Sequence, residues 1–202
     1  MEQDKWDNFN KKLRVELVNF QKNDSQEQRT RFIEFLNAFL KVNNVCMTKM
    51  DDCASFSKII IADKSLSLRD KAIFRLSQFL WIYEVSYMAC VNTLCFLLVC
   101  NHHDLVDNFG NYADSIEDIE EMNGYPKIKF LLRHKFEIMK RQPDANLRNG
   151  IAHSAYSIDN SGSITVKNSK IDVLKQGQEL ISFCEMFWRN FSSTQNGVNQ
   201  NQ

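Results

Sequence analysis

The chain has 202 residues, no formal net charge and 44% hydrophobic residues, enough to build one domain with a real core. Basic and acidic residues balance at 25 each, which excludes a broad electrostatic grip on nucleic acid and leaves only local binding. Fifteen phenylalanines against six glycines and two prolines favour long helices over a turn-rich β fold.

Residues 4–21 read as an amphipathic helix, with Trp6, Phe9, Leu13, Leu17 and Phe20 spaced by three and four. Asp24 and Ser25 offer caps for a second helix over about 26–42, which Asn43 and Asn44 end. A short helix near 51–62 carries Phe56, Ile59 and Ile60. Ser67 and Asp70 form a capping-box pattern that opens the longest helix, about 68–100. Residues 79–100 are nearly all apolar and raise a membrane span. Glu84 and Asn92 lie inside the run, however, and a charge near the centre of a span is costly. A buried central helix and no membrane is the expectation, with Glu84 in need of a partner if buried.

The six cysteines are Cys46, Cys53, Cys90, Cys95, Cys100 and Cys184, with no Cys-x-x-Cys pair. The start, Met-Glu-Gln-Asp-Lys, is too polar for a signal peptide. Reduced, buried thiols in a cytoplasmic protein are the expectation. No His, Cys, Asp and Glu group has convincing ligand spacing, so neither metal nor cofactor is expected. His102-His103-Asp104 reads as a helix end.

Residues 105–125 are irregular, with an acidic face of Glu117, Asp118, Glu120 and Glu121 that is either solvated surface or a dock for a basic partner. Gly124-Tyr125-Pro126 starts a helix to about Arg141. Its Lys127, Lys129, Arg133, His134, Lys135, Lys140 and Arg141 make it the basic element of the chain. That face is either solvated or tracks a phosphate backbone.

Pro143 and Asp144 read as the start of a helix holding Leu147-Arg148-Asn149-Gly150-Ile151-Ala152-His153. Asn149 and His153 are four apart and share a face. Arg148 and His153 are five apart, about 140° around the helix, so they border one groove without pairing directly. A histidine moves protons near neutral pH, and an arginine holds a phosphate with a fixed fork of donors. Metal-independent RNA cleavage needs that combination. The bland alternative is a capped helix end with a solvated arginine and a structural histidine. After His153 the period changes to two: Tyr156 and Ile158, then Ile164 and Val166, flank Asp159-Asn160-Ser161-Gly162 as a hairpin within 155–167. A last helix spans about 169–191, and the Asn/Gln/Ser-rich stretch 192–202 reads as disordered.

Arg148-Asn149-Gly-Ile-Ala-His153 resembles the Arg-x(4–6)-His signature of the HEPN superfamily (higher eukaryote and prokaryote nucleotide-binding domains). The polar residue after the arginine and the small residue before the histidine match as well. The resemblance covers about 66–191. It implies an all-α helical bundle with one short β-hairpin insertion near 155–167. The length and the helices of 1–65 add an N-terminal layer to it, within a single helical domain over 1–191. The resemblance also implies a metal-independent endoribonuclease, of toxin or defence type, acting as a homodimer. There His153 is the acid/base, Arg148 the phosphate clamp, Asn149 the positioning residue and Glu84 a support. RNA then runs over Lys129, Arg133, Lys140 and Arg141, and an antitoxin or regulatory protein is a possible partner. The alternative is a non-catalytic module of this kind, used for dimerisation or for binding a nucleotide or protein partner.

Overall fold

Helix takes up 73% of the computed structural model and strand 6%, so the chain is all-α apart from one small sheet. It describes residues 3–22, 25–141 and 145–199, leaving out side chains at several positions in 39–56, at 140–146 and at 198–199. Asp24, Pro143, Asp144 and the side chains of Phe56, Cys46, Cys53, Lys140 and Arg141 lie outside the described residues.

The order is α1 (Gln3–Lys22), α2 (Gln26–Ala62), α3 (Leu68–Trp81), a π-helical turn (Ile82–Tyr87), α4 (Met88–Cys100), α5 (Ile116–Glu121), α6 (Gly124–Arg133), a 3-10 turn (Glu137–Arg141), α7 (Ala145–Ala152), β1 (Tyr156–Ile158), β2 (Ile164–Val166), β3 (Ser169–Ile171) and α8 (Val173–Asn199). These elements form two compact units, one from 1–40, 88–142 and 184–202, the other from 41–87 and 143–183. α2, the helical run 68–100 and α8 supply residues to both.

In the first unit α1 buries the five apolar residues that its spacing singles out. Phe9 meets Phe136 and Phe187 with ring centroids 5.8 and 5.6 Å apart, and Phe32 stacks on Phe96 at 6.2 Å. The described cysteines, Cys90, Cys95, Cys100 and Cys184, are buried thiols. Burial pushes the Cys100 thiol up to about 12 and raises Cys95 further, so both are inert as nucleophiles. The run Leu68–Cys100 is long and apolar enough to cross a membrane, yet 67% of its most apolar window is buried inside the protein, as in a core helix.

Several boundaries differ from the sequence expectation, each for a local reason. α2 continues through Asn43 and Asn44 to Ala62. The helix opened by Gly124 stops at Arg133, because Lys135 takes a left-handed conformation at φ 66°. The Lys135 and Phe136 amides then donate back to the Leu132 and Leu131 carbonyls, a Schellman ending normally built on glycine. The expected two-stranded hairpin gains a third antiparallel strand, so β1-β2-β3 form a sheet in which Thr165 faces both Ser157 and Lys170. Residues 169–171, expected at the start of the last helix, supply that strand. α8 runs on to Asn199, so 192–199 are helical.

Lys127 does not belong to a solvated basic face: it is 2% exposed, and its ammonium donates to Asn92 Oδ1 at 2.9 Å and the Ile119 carbonyl at 2.8 Å. Those two acceptors answer the cost of burying a charge.

The first unit also buries a carboxylate. Glu16 is 1% exposed and accepts from Lys12 Nζ at 2.5 Å and Asn101 Nδ2 at 2.7 Å. His103 Nε2 lies 3.6 Å from Oε2, the oxygen that accepts from Asn101, and the His103 and His134 rings are 4.4 Å apart. Burial opposes ionisation of Glu16, but the Lys12 and Asn101 hydrogen bonds with the charges of Lys12 and His103 outweigh it, and its pKa is lowered. Burial, then the His103 and Lys12 charges, lowers the pKa of His134 against the pull of Glu16. Both shifts make the folded chain bind fewer protons than the unfolded one. Their contribution is full above the ordinary histidine value of 6.5 and is lost as pH falls, first through His134 and then, below 4.5, through Glu16. Urea unfolding between pH 7.5 and 4 is expected to show a midpoint that declines from about pH 6.5, with the first part of the decline absent in His134→Phe. A midpoint flat from pH 7.5 to 5 contradicts a half-buried imidazole whose pKa is lowered in the folded chain.

Candidate active site

The arginine of the motif is anchored from a distant part of the sequence. α7 has eight residues, too few to be stable alone in water, so packing must hold it. Leu147 and Ile151 are buried at 2% and 6% exposure. Between them, Gly150 lies so close to the sheet that a Cβ there would stand 2.3 Å from Val166 Cγ1. The glycine of the motif is therefore a packing residue: only hydrogen fits between α7 and β2.

That packing leaves Arg148 on the accessible side, one third exposed. Its Nε donates to Glu84 Oε1 at 2.5 Å, and its Nη1 donates to Asn149 Oδ1 at 3.1 Å. The remaining guanidinium protons have no acceptor among the described residues, so the donor fork stays open. Glu84 is carried by the π-helical turn, 64 residues earlier in the chain. Such widened turns shift side chains off the regular helical spacing and recur at functional sites. Tyr83 beside it is buried, and burial raises its phenol pKa, with Arg148 opposing and Glu84 adding. The phenol is thus neutral and sits within electrostatic reach of the pair. The sequence offered no signal for Tyr83 beyond its place next to Glu84.

His153 stands apart from this group. Its ring is exposed, and among the described residues no hydrogen bond links it to Arg148, Asn149 or Glu84. It closes α7: its amide donates to the Asn149 carbonyl, and Ser154 follows at φ 55°. The Ser154 and Ala155 amides return to the carbonyls of Ile151 and Gly150, completing a Schellman ending with His153 as the C-cap. Along the helix axis His153 lies about 7.5 Å beyond Arg148, from a rise of about 1.5 Å per residue. One chain therefore brings Arg148, Asn149 and Glu84 together, and leaves His153 at the helix end with its ring free for solvent or a ligand.

The four residues expected to track RNA divide. Lys129 and Arg133 are exposed, and the Arg133 guanidinium lies 5.9 Å from the centre of the Phe130 ring. Both belong to the first unit, Arg148 and His153 to the second. The Lys140 and Arg141 side chains lie outside the described residues. Among the described residues, no group of three or more His, Cys, Asp or Glu is placed to hold a metal. On the acidic segment, Asp118 caps α5 through Ser115, while Glu117, Glu120 and Glu121 face solvent.

No family model, curated protein or solved structure matches this chain.

The close approach at Gly150 has a measurable consequence. Gly150→Ala is expected to destabilise the protein by about 1–3 kcal/mol, the usual cost of overpacking, because Val166 is stiff and buried. Adding Val166→Ala should relieve the clash, so the double variant loses less than the sum of the singles. Additive losses by denaturant unfolding would show that the two residues do not meet.

Proposed function

We propose that this chain is a HEPN-type helical module that cleaves RNA without a metal, as a cytoplasmic homodimer. The observation that carries the proposal is the Arg148 guanidinium, held by Glu84 and Asn149 with part of its donor fork still open, on the helix that His153 caps. Neutral His153 takes the proton of a ribose 2′-hydroxyl as the oxygen attacks the adjacent phosphorus. The bond to the 5′-oxygen breaks, leaving a 2′,3′-cyclic phosphate, and the departing oxygen needs a proton. Arg148 stabilises the crowded phosphate between these steps. Asn149 fixes the guanidinium plane, and Glu84 fixes its position. One histidine accepts one proton, so a second copy of the motif, across a two-fold axis, supplies the donor.

A second reading has its own support. Glu84 already pairs with the charge of Arg148, and an ion pair is a poorer phosphate trap than a lone guanidinium. On that reading the same face binds a nucleotide or protein partner and makes no cut, and the acidic segment docks a regulatory protein such as an antitoxin.

Activity and stability measured together separate the readings. His153→Ala should lower cleavage of single-stranded RNA in chelator by about 10²–10⁴-fold, the range for lost acid–base catalysis, with little change in melting temperature, since its ring is exposed. Arg148→Lys should rescue poorly, because an ammonium lacks the fork. A wild-type chain that binds RNA and leaves it intact decides for the binding module.

A further inference from the structure

The first unit holds a second cluster of titratable groups, apart from the motif. α1 brings Lys12 and Glu16 to it, the end of α4 and the residues that follow bring Asn101 and His103, and the end of α6 brings Arg133 and His134. The Glu16 carboxylate is sealed in and already accepts from Lys12 and Asn101, so its charge is answered without a histidine. His103 still presents Nε2 to Oε2 at 3.6 Å, and its ring, one third exposed, leads from the carboxylate to the surface.

Packing alone gives no reason for His134. Its ring lies 4.4 Å from that of His103 and 4.7 Å from that of Phe130. Among the described residues no hydrogen bond engages either of its nitrogens or Nδ1 of His103, and none of the three is sealed from solvent. A half-buried imidazole without a partner, set against an aromatic ring, costs more than an apolar side chain of its size would. The Arg133 guanidinium lies 5.9 Å from the centre of the same Phe130 ring, exposed and with no acceptor among the described residues.

Two imidazoles in contact disfavour the state in which both are charged, so the pair holds one proton more readily than two. Burial, then His103, Lys12 and Arg133, disfavours charge on His134, and Glu16 alone opposes them. These are the charged groups facing it from α1, from the residues after α4 and from its own helix. Glu16 stands instead beside His103. A proton acceptor and a proton donor thus lie side by side, and paired groups whose environments pull them apart mark acid–base sites.

We infer that His134 and His103 form a second acid–base pair, complete within one chain, that cleaves single-stranded RNA with Arg133 holding the phosphate. The pair shares none of its residues with the motif and rests on the proposed function only for the choice of RNA. His134 takes the proton of a 2′-hydroxyl as its oxygen bonds to phosphorus. The bond to the 5′-oxygen breaks, and His103 gives that oxygen its proton. The products are a 2′,3′-cyclic phosphate and a 5′-hydroxyl, and water returns the proton from His134 to His103. Glu16 is a positioning residue: it faces the Nε2 side of His103 and leaves Nδ1 to meet the substrate.

Cleavage of the dinucleotide UpA in chelator tests this in the Arg148→Ala, His153→Ala chain, which removes the contribution of the motif. That chain should retain cleavage, with a bell-shaped dependence of kcat/KM on pH, since one group must be neutral and the other protonated. The acid limb should lie below the ordinary histidine value of 6.5. His134→Asn and His103→Gln, polar replacements that cannot exchange protons in this range, should each lower kcat by about 10²-fold or more. Glu16→Gln should leave cleavage measurable and move the alkaline limb to lower pH. Arg133→Gln, at an exposed position, keeps the fold and should lower kcat/KM about tenfold or more. Melting temperatures identify any histidine variant that fails to fold, and the Arg133 variant with the pH profile then decides. No cleavage by the motif-free chain overturns the pair, as does cleavage that survives Arg133→Gln or a folded His134→Asn, or a profile without an acid limb. A wild type that cleaves and a motif-free chain that does not leave the motif standing without the pair. Equal cleavage by the two chains, lost in His134→Asn, leaves the pair standing without the motif.

Discussion

A guanidinium needs an acceptor, and the one Arg148 finds ties together two distant segments of the second unit. Arg148 sits on a helix too short to stand alone, and Glu84 sits on a turn wider than an α-helix. Their 2.5 Å contact joins two segments 64 residues apart. Both groups are partly exposed, so the pair adds little to stability, roughly 0–1 kcal/mol for pairs of this kind. Its effect is on geometry: a long side chain that would otherwise sample many rotamers is held with its fork facing outward.

Steric closeness on the opposite side of α7 does the heavier structural work. Gly150 brings the helix onto Val166 with no room for a methyl group, while Leu147 and Ile151 are buried to either side. The apolar face and the polar face of the motif are thus determined together. Any substitution that pushes α7 off β2 also moves Arg148 relative to Glu84, so packing variants at Gly150 should disturb the polar group as well.

Periodicity made most helices legible, because Phe, Leu and Trp at spacings of three and four have one way to be buried at once. α1 and the run 68–100 follow from that pattern almost residue by residue. One helix end was hard to read. Lys135 closes its helix in the left-handed conformation, where glycine is the usual signal and its absence reads as continuation to Arg141, whereas the endings before His102 and Ser154 fall where the sequence placed them. The third strand was hidden because Ser169-Lys170-Ile171 is too short for alternation to show, and only pairing with β2 defines it. Lys127 was misassigned because composition counts a lysine as surface, whereas Asn92 and the Ile119 carbonyl, distant in sequence, make its burial tolerable. The Glu84 contact was different: Glu84 was expected as a support of the motif and does hold Arg148, and only the widened turn that carries it has no sequence signature.

On the catalytic reading, the position of His153 decides how complete one chain is. Acid–base histidines act best when a third group fixes the imidazole plane and tautomer. Within one chain the backbone of His153 is fixed by the helix ending, but among the described residues nothing fixes its ring. Arg148 shows the reverse arrangement, a side chain oriented by two partners. A phosphate bridging both must therefore orient the histidine itself, or a second copy must bring a polar group to it. In a homodimer built around this motif, an isologous contact would set the same surface opposite itself and could bring an Asn149 or an open arginine fork to the ring. The lone ring at a helix end is thus an incomplete half of a site on the catalytic reading and a finished cap on the bland one. The difference between them lies in what faces it.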